Sequence, residues 1–429
     1  MRKTKIILII AFIQSFSSII LAQKLTWQLL PGQMPYPVGG AKAIVIDSLI
    51  YIVGGYSESV PFNLDFIQIY NPQSNSWLKQ FPKMSSRRRG FTAKRYMNGI
   101  LILGGIDSLN QNAAGLEYFD PRFSQGTVVL HRDINFNRIF ATAEVYENSL
   151  FLFGGNTTSS SADTAHRPFL VEYNFQSKTI SYSNEAIFKG SITYQQMSAL
   201  VGDEVYLFGG VLNTISRNIY RFNIKAKKFE TLDPSLISIR AGGEAVYDGT
   251  SKIYIIGGYN ETQALSTVEV YAPGSPQDNI ISAGPQMNYA RKNPAAVSYK
   301  GSIYVFGGFD NTSGHSTGTV EKLDVVTSVE QPDNSVVNDF RLFDNYPNPF
   351  NSGTTIRFLL PERNFVTVDL YNMLGEHVAN LARGEYSQGE HSVYWDGIGK
   401  DGLTSSSGIY IYCLRTGKQI LSKKMLYLK

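Results

Sequence analysis

Cysteine is almost missing from this chain: Cys413 is the only one in 429 residues. An intramolecular disulfide is therefore excluded, and stability must come from packing. Histidine is scarce as well. His131, His166, His315, His377 and His391 stand far apart, and none makes a metal-ligand spacing with another His or with Cys. No metal and no cofactor is expected. Charged residues make up only 17% of the chain, and the formal net charge is +4, with Arg2, Lys3 and Lys5 crowded at the extreme N-terminus. The remainder is close to neutral and carries no electrostatic footprint for nucleic acid. Also missing are a Ser-His-Asp arrangement, a Gly-rich phosphate loop after a parallel strand and a convincing carboxylate pair. Beyond residue 22 no apolar run is long enough to span a bilayer.

What the chain does have is 43% hydrophobic residues, with 26 Tyr, 25 Phe and 38 Gly. Aromatic strands punctuated by glycine turns give this profile, and it excludes disorder. At the N-terminus, Arg2, Lys3 and Lys5 precede the apolar run Ile6–Ile13, and Ile20-Leu21-Ala22 closes the segment. A charged start, an apolar middle and a small residue at the end predict a signal peptide over 1–22, cut after Ala22. Gln14, Ser15, Ser17 and Ser18 interrupt the apolar stretch and argue against a membrane anchor.

A strand-like run ending in Gly-Gly occurs again and again. It starts with Tyr51-Ile52-Val53-Gly54-Gly55 and ends with Tyr304-Val305-Phe306-Gly307-Gly308; the copies between end at Gly104-Gly105, Gly154-Gly155, Gly209-Gly210 and Gly257-Gly258. Intervals of about 50 residues mark a repeat architecture. Each unit opens with a strand of small residues, such as Ala41–Ile46, Ala141–Tyr146 or Ala295–Tyr299. Past the glycines come a variable loop and a third strand closing on an aromatic and a turn, as in Tyr70-Asn71-Pro72 and Phe119-Asp120-Pro121. Trp77 and Phe229 mark a fourth strand in the first and fourth units.

With these features, residues 25–325 resemble the Kelch-repeat family. The resemblance implies an all-β fold, a six-bladed β-propeller over 23–325 with one four-stranded blade per unit. Glycine at the end of the second strand permits a bend and close backbone approach. The sixth unit lacks a fourth strand after Thr319–Asp324, whereas Leu25–Leu30 carries a tryptophan and precedes the first unit. This segment is predicted to complete the sixth blade, pairing edges that would otherwise be exposed.

Residues 326–339 read as a polar linker. Residues 340–429 then form a compact β module of short strands and Gly/Asn/Asp turns, a small β-sandwich. Its ordered motifs are Asp344-Asn345-Tyr346-Pro347-Asn348-Pro349-Phe350-Asn351, strands at Thr354–Leu359 and Val366–Tyr371, the turn Asn372-Met373-Leu374-Gly375, Val393-Tyr394-Trp395-Asp396-Gly397 and the terminal Lys423–Lys429. This set resembles the type A C-terminal sorting domain of the bacterial type IX secretion system. The resemblance implies that residues 340–429 engage that machinery and that the mature protein is extracellular or on the outer cell surface. Trp395 beside Asp-Gly turns reads as a buried core residue rather than a calcium or sugar site.

The loop after each glycine pair and the link into the next innermost strand lie on one face of a Kelch-like ring. At the start of the innermost strands stand Arg88, Arg138, Arg240 and Arg291; Val38 and Thr193 occupy the same place in units one and four. The resemblance implies arginines around the mouth of a central channel. Their planar forks suit carboxylate or phosphate, and the alternative is that they only tie blades together. The post-glycine loops add Tyr56, Asp107, Asn156, Tyr259, Asn260, Phe309 and Asp310, which suit sugar rings or ordinary turns. The longest loop, Asn156–Arg167, is rich in Ser and Thr.

The expected function is an exported binding protein for glycan or extracellular protein ligands, with Arg88, Arg138, Arg240, Arg291, Asn156, Tyr259 and Asp310 as candidate contacts. A carbohydrate-active enzyme resembling the sialic-acid mutarotases is the alternative, with Glu144 or Glu244 as proton carriers. A purely structural adhesin component is the third reading. A copper oxidase of the galactose-oxidase kind is discounted, because it needs a cysteine-crosslinked tyrosine inside the propeller and Cys413 lies outside it.

Overall fold

The computed structural model describes residues 25–429 apart from 60–61, 108, 110, 112–114, 123–125, 157–168, 184–192, 234, 275–279, 312–313, 326–339, 344, 346–347, 349, 352, 418 and 429. The expected signal peptide and linker lie outside the described residues. The chain divides after residue 327 into two compact units.

The first unit is a six-bladed β-propeller. Blade 1 runs, from the axis outward, through Lys42–Ile46, Leu49–Val53, Ile67–Asn71 and Ser76–Trp77. In the same order, the innermost strands of blades 2 to 6 are Arg89–Tyr96, Thr142–Tyr146, Met197–Val201, Glu244–Tyr247 and Ala295–Tyr299. Each packs against the next, and Ala295–Tyr299 meets Lys42–Ile46, so the ring closes. Blade 6 takes its outermost strand from the start of the chain: Gln28 pairs with Lys322 and Leu29 with Glu321. Trp27 is buried there and donates its indole N–H to the Pro285 carbonyl at 2.8 Å.

Between successive blades lies an apolar layer. Ile44 and Val53 of blade 1 meet Phe91 and Ile102 of blade 2 in one of them; Phe153 of blade 3 meets Phe222 and Phe229 of blade 4 in another. The second strands are covered on both faces, which is why Ile50–Val53 and Ile253–Ile256 are continuous apolar runs rather than alternating ones. One position of the innermost strand is small in every blade: Ala43, Ala93, Ala143, Ser198, Ala245 and Ala296. Six strands converging on one axis leave little room there.

The glycine pairs are explained by the neighbouring blade. The second glycine donates its N–H to a carbonyl at the start of the next blade: Gly105 to Arg138 at 2.7 Å, Gly210 to Arg240 at 2.9 Å, Gly258 to Arg291 at 2.9 Å. The first glycine, in the left-handed region, abuts the same carbonyl at Gly104, Gly154, Gly209, Gly257 and Gly307; a Cβ on Gly307 would run into the Val38 oxygen. The repeat therefore records a backbone-to-backbone seam, beyond a simple bend.

The second unit is a β-sandwich. One sheet holds Arg341–Leu342, Thr354–Leu360 and Gly389–Trp395; the other holds His377–Tyr386, Asn364–Asn372, Gly408–Arg415 and Ile420–Tyr427 in that order. Ile356, Phe358, Leu370, Trp395 and Tyr412 fill its core. Phe350 of the opening motif packs in it, with ring centroids 5.6 Å from Trp395, edge to face, and 5.0 Å from Tyr427. Trp395 is 2% exposed and donates to the Ile398 carbonyl at 2.8 Å, the core role read from the sequence. The strands His377–Tyr386 and Ile420–Tyr427 were not among the expected ones, because charged and polar residues on their outer face blur the alternation.

Candidate binding face

At the start of each innermost strand one residue adopts a left-handed backbone: Gly40, Gly90, Phe140, Gln195, Gly242 and Asn293, with φ between 50° and 69°. Their backbones are chained around the axis. Phe140 donates to Gly90 at 2.6 Å, Gln195 to Phe140 at 2.8 Å, Gly242 to Gln195 at 3.0 Å, Asn293 to Gly242 at 2.8 Å and Gly40 to Asn293 at 2.8 Å. Three of the positions carry ordinary side chains in a conformation that favours glycine, and such outliers gather at functional sites.

These residues line a cavity of about 40 Å³ at the channel mouth, together with Gln196, Lys42 and Glu244. The cavity is floored by an ion pair across the channel, Lys42 of blade 1 to Glu244 of blade 5. In the channel wall, Lys94 pairs with Glu144 at 2.8 Å, and Glu144 also accepts the Ser198 hydroxyl at 2.6 Å. Both carboxylates suggested as proton carriers thus face a lysine. Small-molecule pockets enclose roughly 300–1,000 Å³, so this one has room for water or a single small group. A wider groove of about 370 Å³ opens between blades 1 and 2, lined by Phe81, Lys83 and Thr127. None of its lining polar side chains is buried.

The arginines are not presented at this mouth, which corrects the expectation for Arg88, Arg138, Arg240 and Arg291. All four are buried. Arg291 binds Glu321 at 2.8 Å, the Gly307 carbonyl at 2.6 Å and the Thr319 hydroxyl at 2.8 Å. Arg240 repeats the set with Glu269 at 2.6 Å and the Gly257 carbonyl at 3.1 Å; Arg88 pairs with Glu117. Each glutamate also accepts backbone N–H groups from the turn before its arginine, such as Ile237 to Glu269 at 2.7 Å. Burial lowers the pKa of each of these three guanidiniums, and the paired carboxylate opposes the shift. These are intrablade staples. Arg138 differs: Val171 takes the glutamate position, and the guanidinium bonds the Asn135 and Gly154 carbonyls at 2.8 and 2.7 Å. The missed signal was a Glu in the third strand wherever the Arg is present in blades 2, 5 and 6, with Gln68 in that place opposite Val38.

The other candidates do lie on the channel face. Tyr259 is half-buried on the rim and gives its hydroxyl proton to Gln195 Oε1. Burial first, then the nearby Tyr194, pushes its phenol pKa up, which keeps it a donor. Asn156 exchanges backbone bonds with Ile139, and Asp310 donates its backbone N–H to the His315 carbonyl at 3.1 Å. Most of the loop after Asn156 lies outside the described residues. Around the mouth, Tyr56, Phe140, Tyr194, Tyr259 and Phe309 form a partly exposed aromatic collar. Phe309 lies against Gly39 and 6.1 Å from Tyr56; Arg89 sits over Tyr56 at 5.4 Å and Lys292 over Tyr259 at 5.0 Å. Phe140 and Tyr194 were missed, since neither follows a glycine pair.

Comparison with known proteins matches residues 37–80 to the Kelch motif, 160–327 to the Attractin/LZTR1 beta-propeller and 344–427 to the Secretion system C-terminal sorting domain. The chain is a Kelch-repeat β-propeller with a type IX sorting domain. The Kelch region is similar to Kelch-like protein 25 of Rattus norvegicus, 24% identical over 268 residues, covering 60% of this chain and 43% of the relative. It is also similar to Spermatocyte protein spe-26 of Caenorhabditis elegans, 25% identical over 230 residues, or 51% and 37% of the two chains. A third is Kelch repeat and BTB domain-containing protein 1 of Vaccinia virus (strain Copenhagen), 23% identical over 258 residues, or 58% and 42%. This Kelch protein therefore spans less than half the length of those relatives. A sorting domain implies export to the cell surface or the extracellular space.

Proposed function

We propose that this Kelch protein is an exported recognition module that binds a protein partner through the propeller face bearing the channel mouth. The observation that carries this reading is the aromatic collar of Tyr56, Phe140, Tyr194, Tyr259 and Phe309 around a mouth of about 40 Å³. Partly exposed aromatics flanked by cations such as Arg89 and Lys292 are typical anchors of protein interfaces, and a mouth this small suits a surface contact better than an enclosed sugar. The same face weighs against a sugar-acid mutarotase: the candidate acids are lysine-paired, and of the arginines that would hold a sugar carboxylate three are spent on glutamates and Arg138 bonds backbone carbonyls. Export is read as starting from the signal peptide over 1–22 and ending with type IX machinery acting on residues 340–429.

Ligand-observed NMR on the full chain tests the choice of ligand class. The panel holds sialic acid, neutral oligosaccharides and short peptides with an exposed β-turn. Saturation transfer to peptides only, weakened by Phe309→Ala, agrees with a protein partner. Transfer to sugars that survives Phe309→Ala, or faster anomeric exchange of sialic acid, overturns it.

A further inference from the structure

The channel mouth is built from carboxamides rather than charges. Gln196 is 7% exposed and lines the cavity, yet among the described residues neither its Oε1 nor its Nε2 has a hydrogen-bond partner. Leaving a buried donor and acceptor both unmade costs several times a typical net hydrogen bond, so such a group calls for an occupant. Gln195 and Asn293 add two more carboxamides to the lining. The Gln195 carbonyl is committed to the Tyr259 hydroxyl, and its NH2 group is not. The charges close by cancel, since Lys42 is neutralised by Glu244.

Among the described residues lining the cavity, an anion would meet no unpaired cation and would approach the Glu244 carboxylate. A group offering only donors or only acceptors would leave half of Gln196 unmet. An amide offers one of each, and pairs with a carboxamide through two parallel bonds. Its bulk also suits the cavity, where a sugar ring does not.

We propose that the mouth of the channel is a socket for one uncharged amide of a protein partner, either an Asn or Gln side chain or a peptide group at the tip of a turn. The partner's surface then rests on the aromatic collar while the amide enters the cavity. This inference rests on the reading of this face as a protein-recognition surface, and it adds the chemistry of the central contact.

The test uses the full chain labelled with 15N in its glutamine side chains. The Gln196 NH2 pair is identified as the one lost in Gln196→Met. Acetamide stands for a side-chain amide, N-methylacetamide for a peptide group and sodium acetate, at matched ionic strength, for an anion. A saturable shift of the Gln196 pair with either amide, and at least tenfold less response to acetate, is the expected result. The stronger amide identifies the source. In Gln196→Met the amide response at Gln195 should be lost. Acetate acting as strongly as the amides, or silence from both amides, overturns the socket and leaves water as the occupant. Crosslinking of the collar to a partner is independent of these titrations, so the socket can fail while the recognition face stands.

Discussion

Gly308 donates its backbone N–H to the Val38 carbonyl at 2.8 Å, and this bond joins the sixth blade to the first. It is the ring-closing copy of a contact made at every other blade boundary. A second closure lies farther out, where Gln28–Leu29 completes the sixth sheet and Trp27 is buried in the layer between blades 5 and 6. Trp27→Ala should therefore destabilise the propeller by about 3–5 kcal/mol, the usual cost of emptying a buried tryptophan site. Deleting residues 25–30 should lower the melting temperature further. An unchanged melting temperature would mean that the ring holds without its N-terminal strand.

The arginine–glutamate staples predict an asymmetric double-mutant cycle. Arg291→Met alone strands a buried carboxylate on Glu321 and should cost about 3–5 kcal/mol. Adding Glu321→Leu should restore a good part of that loss, because an apolar pair of similar volume needs no desolvated charge. Chemical denaturation of the single and double variants reads the coupling. Equal stability of Arg291→Met and the wild type would return Arg291 to the pool of ligand contacts.

A pH effect is expected at Asp120, in the turn after the third strand of blade 2. Side-chain hydrogen bonds from Arg122 hold its carboxyl below the ordinary value, against the opposing effect of burial. A lowered folded-state pKa means stability that is present above the unfolded value, about 3.9, and lost as pH falls through the lower folded one. Asp120→Asn should thus be less stable than the wild type at pH 7, with the gap closing in melts below about pH 3.9. Arg122 is 60% exposed, so salt should shrink the gap as well.

Much of this architecture was legible in the sequence, because each blade repeats the same seam. A glycine pair is demanded wherever the next blade's backbone abuts the end of a second strand, and that demand recurs with the repeat. The part of the site that rests on contacts between blades was not legible. Lys42 and Glu244 meet across the channel from blades 1 and 5, and no local pattern links them. The arginines were visible at the right places, yet the role of Arg88, Arg240 and Arg291 depended on Glu117, Glu269 and Glu321 one strand pair away. The left-handed ring was hidden as well, since Phe140 and Gln195 are residues that give no turn signal.

The sorting domain makes a cellular prediction. Deleting residues 340–429 should keep the chain from the outside of the cell, measured by its loss of accessibility to protease added to intact cells. Surface delivery at normal levels without these residues would contradict the role of the domain.

The most direct test of the recognition face is paired site-specific photo-crosslinking on intact cells. A benzoylphenylalanine at Phe309, on the collar, is compared with one at Met97, in the turn at the opposite end of blade 2. The account predicts one discrete protein adduct from position 309 and none from position 97. Adducts of equal yield from both positions, or none from position 309, would contradict it.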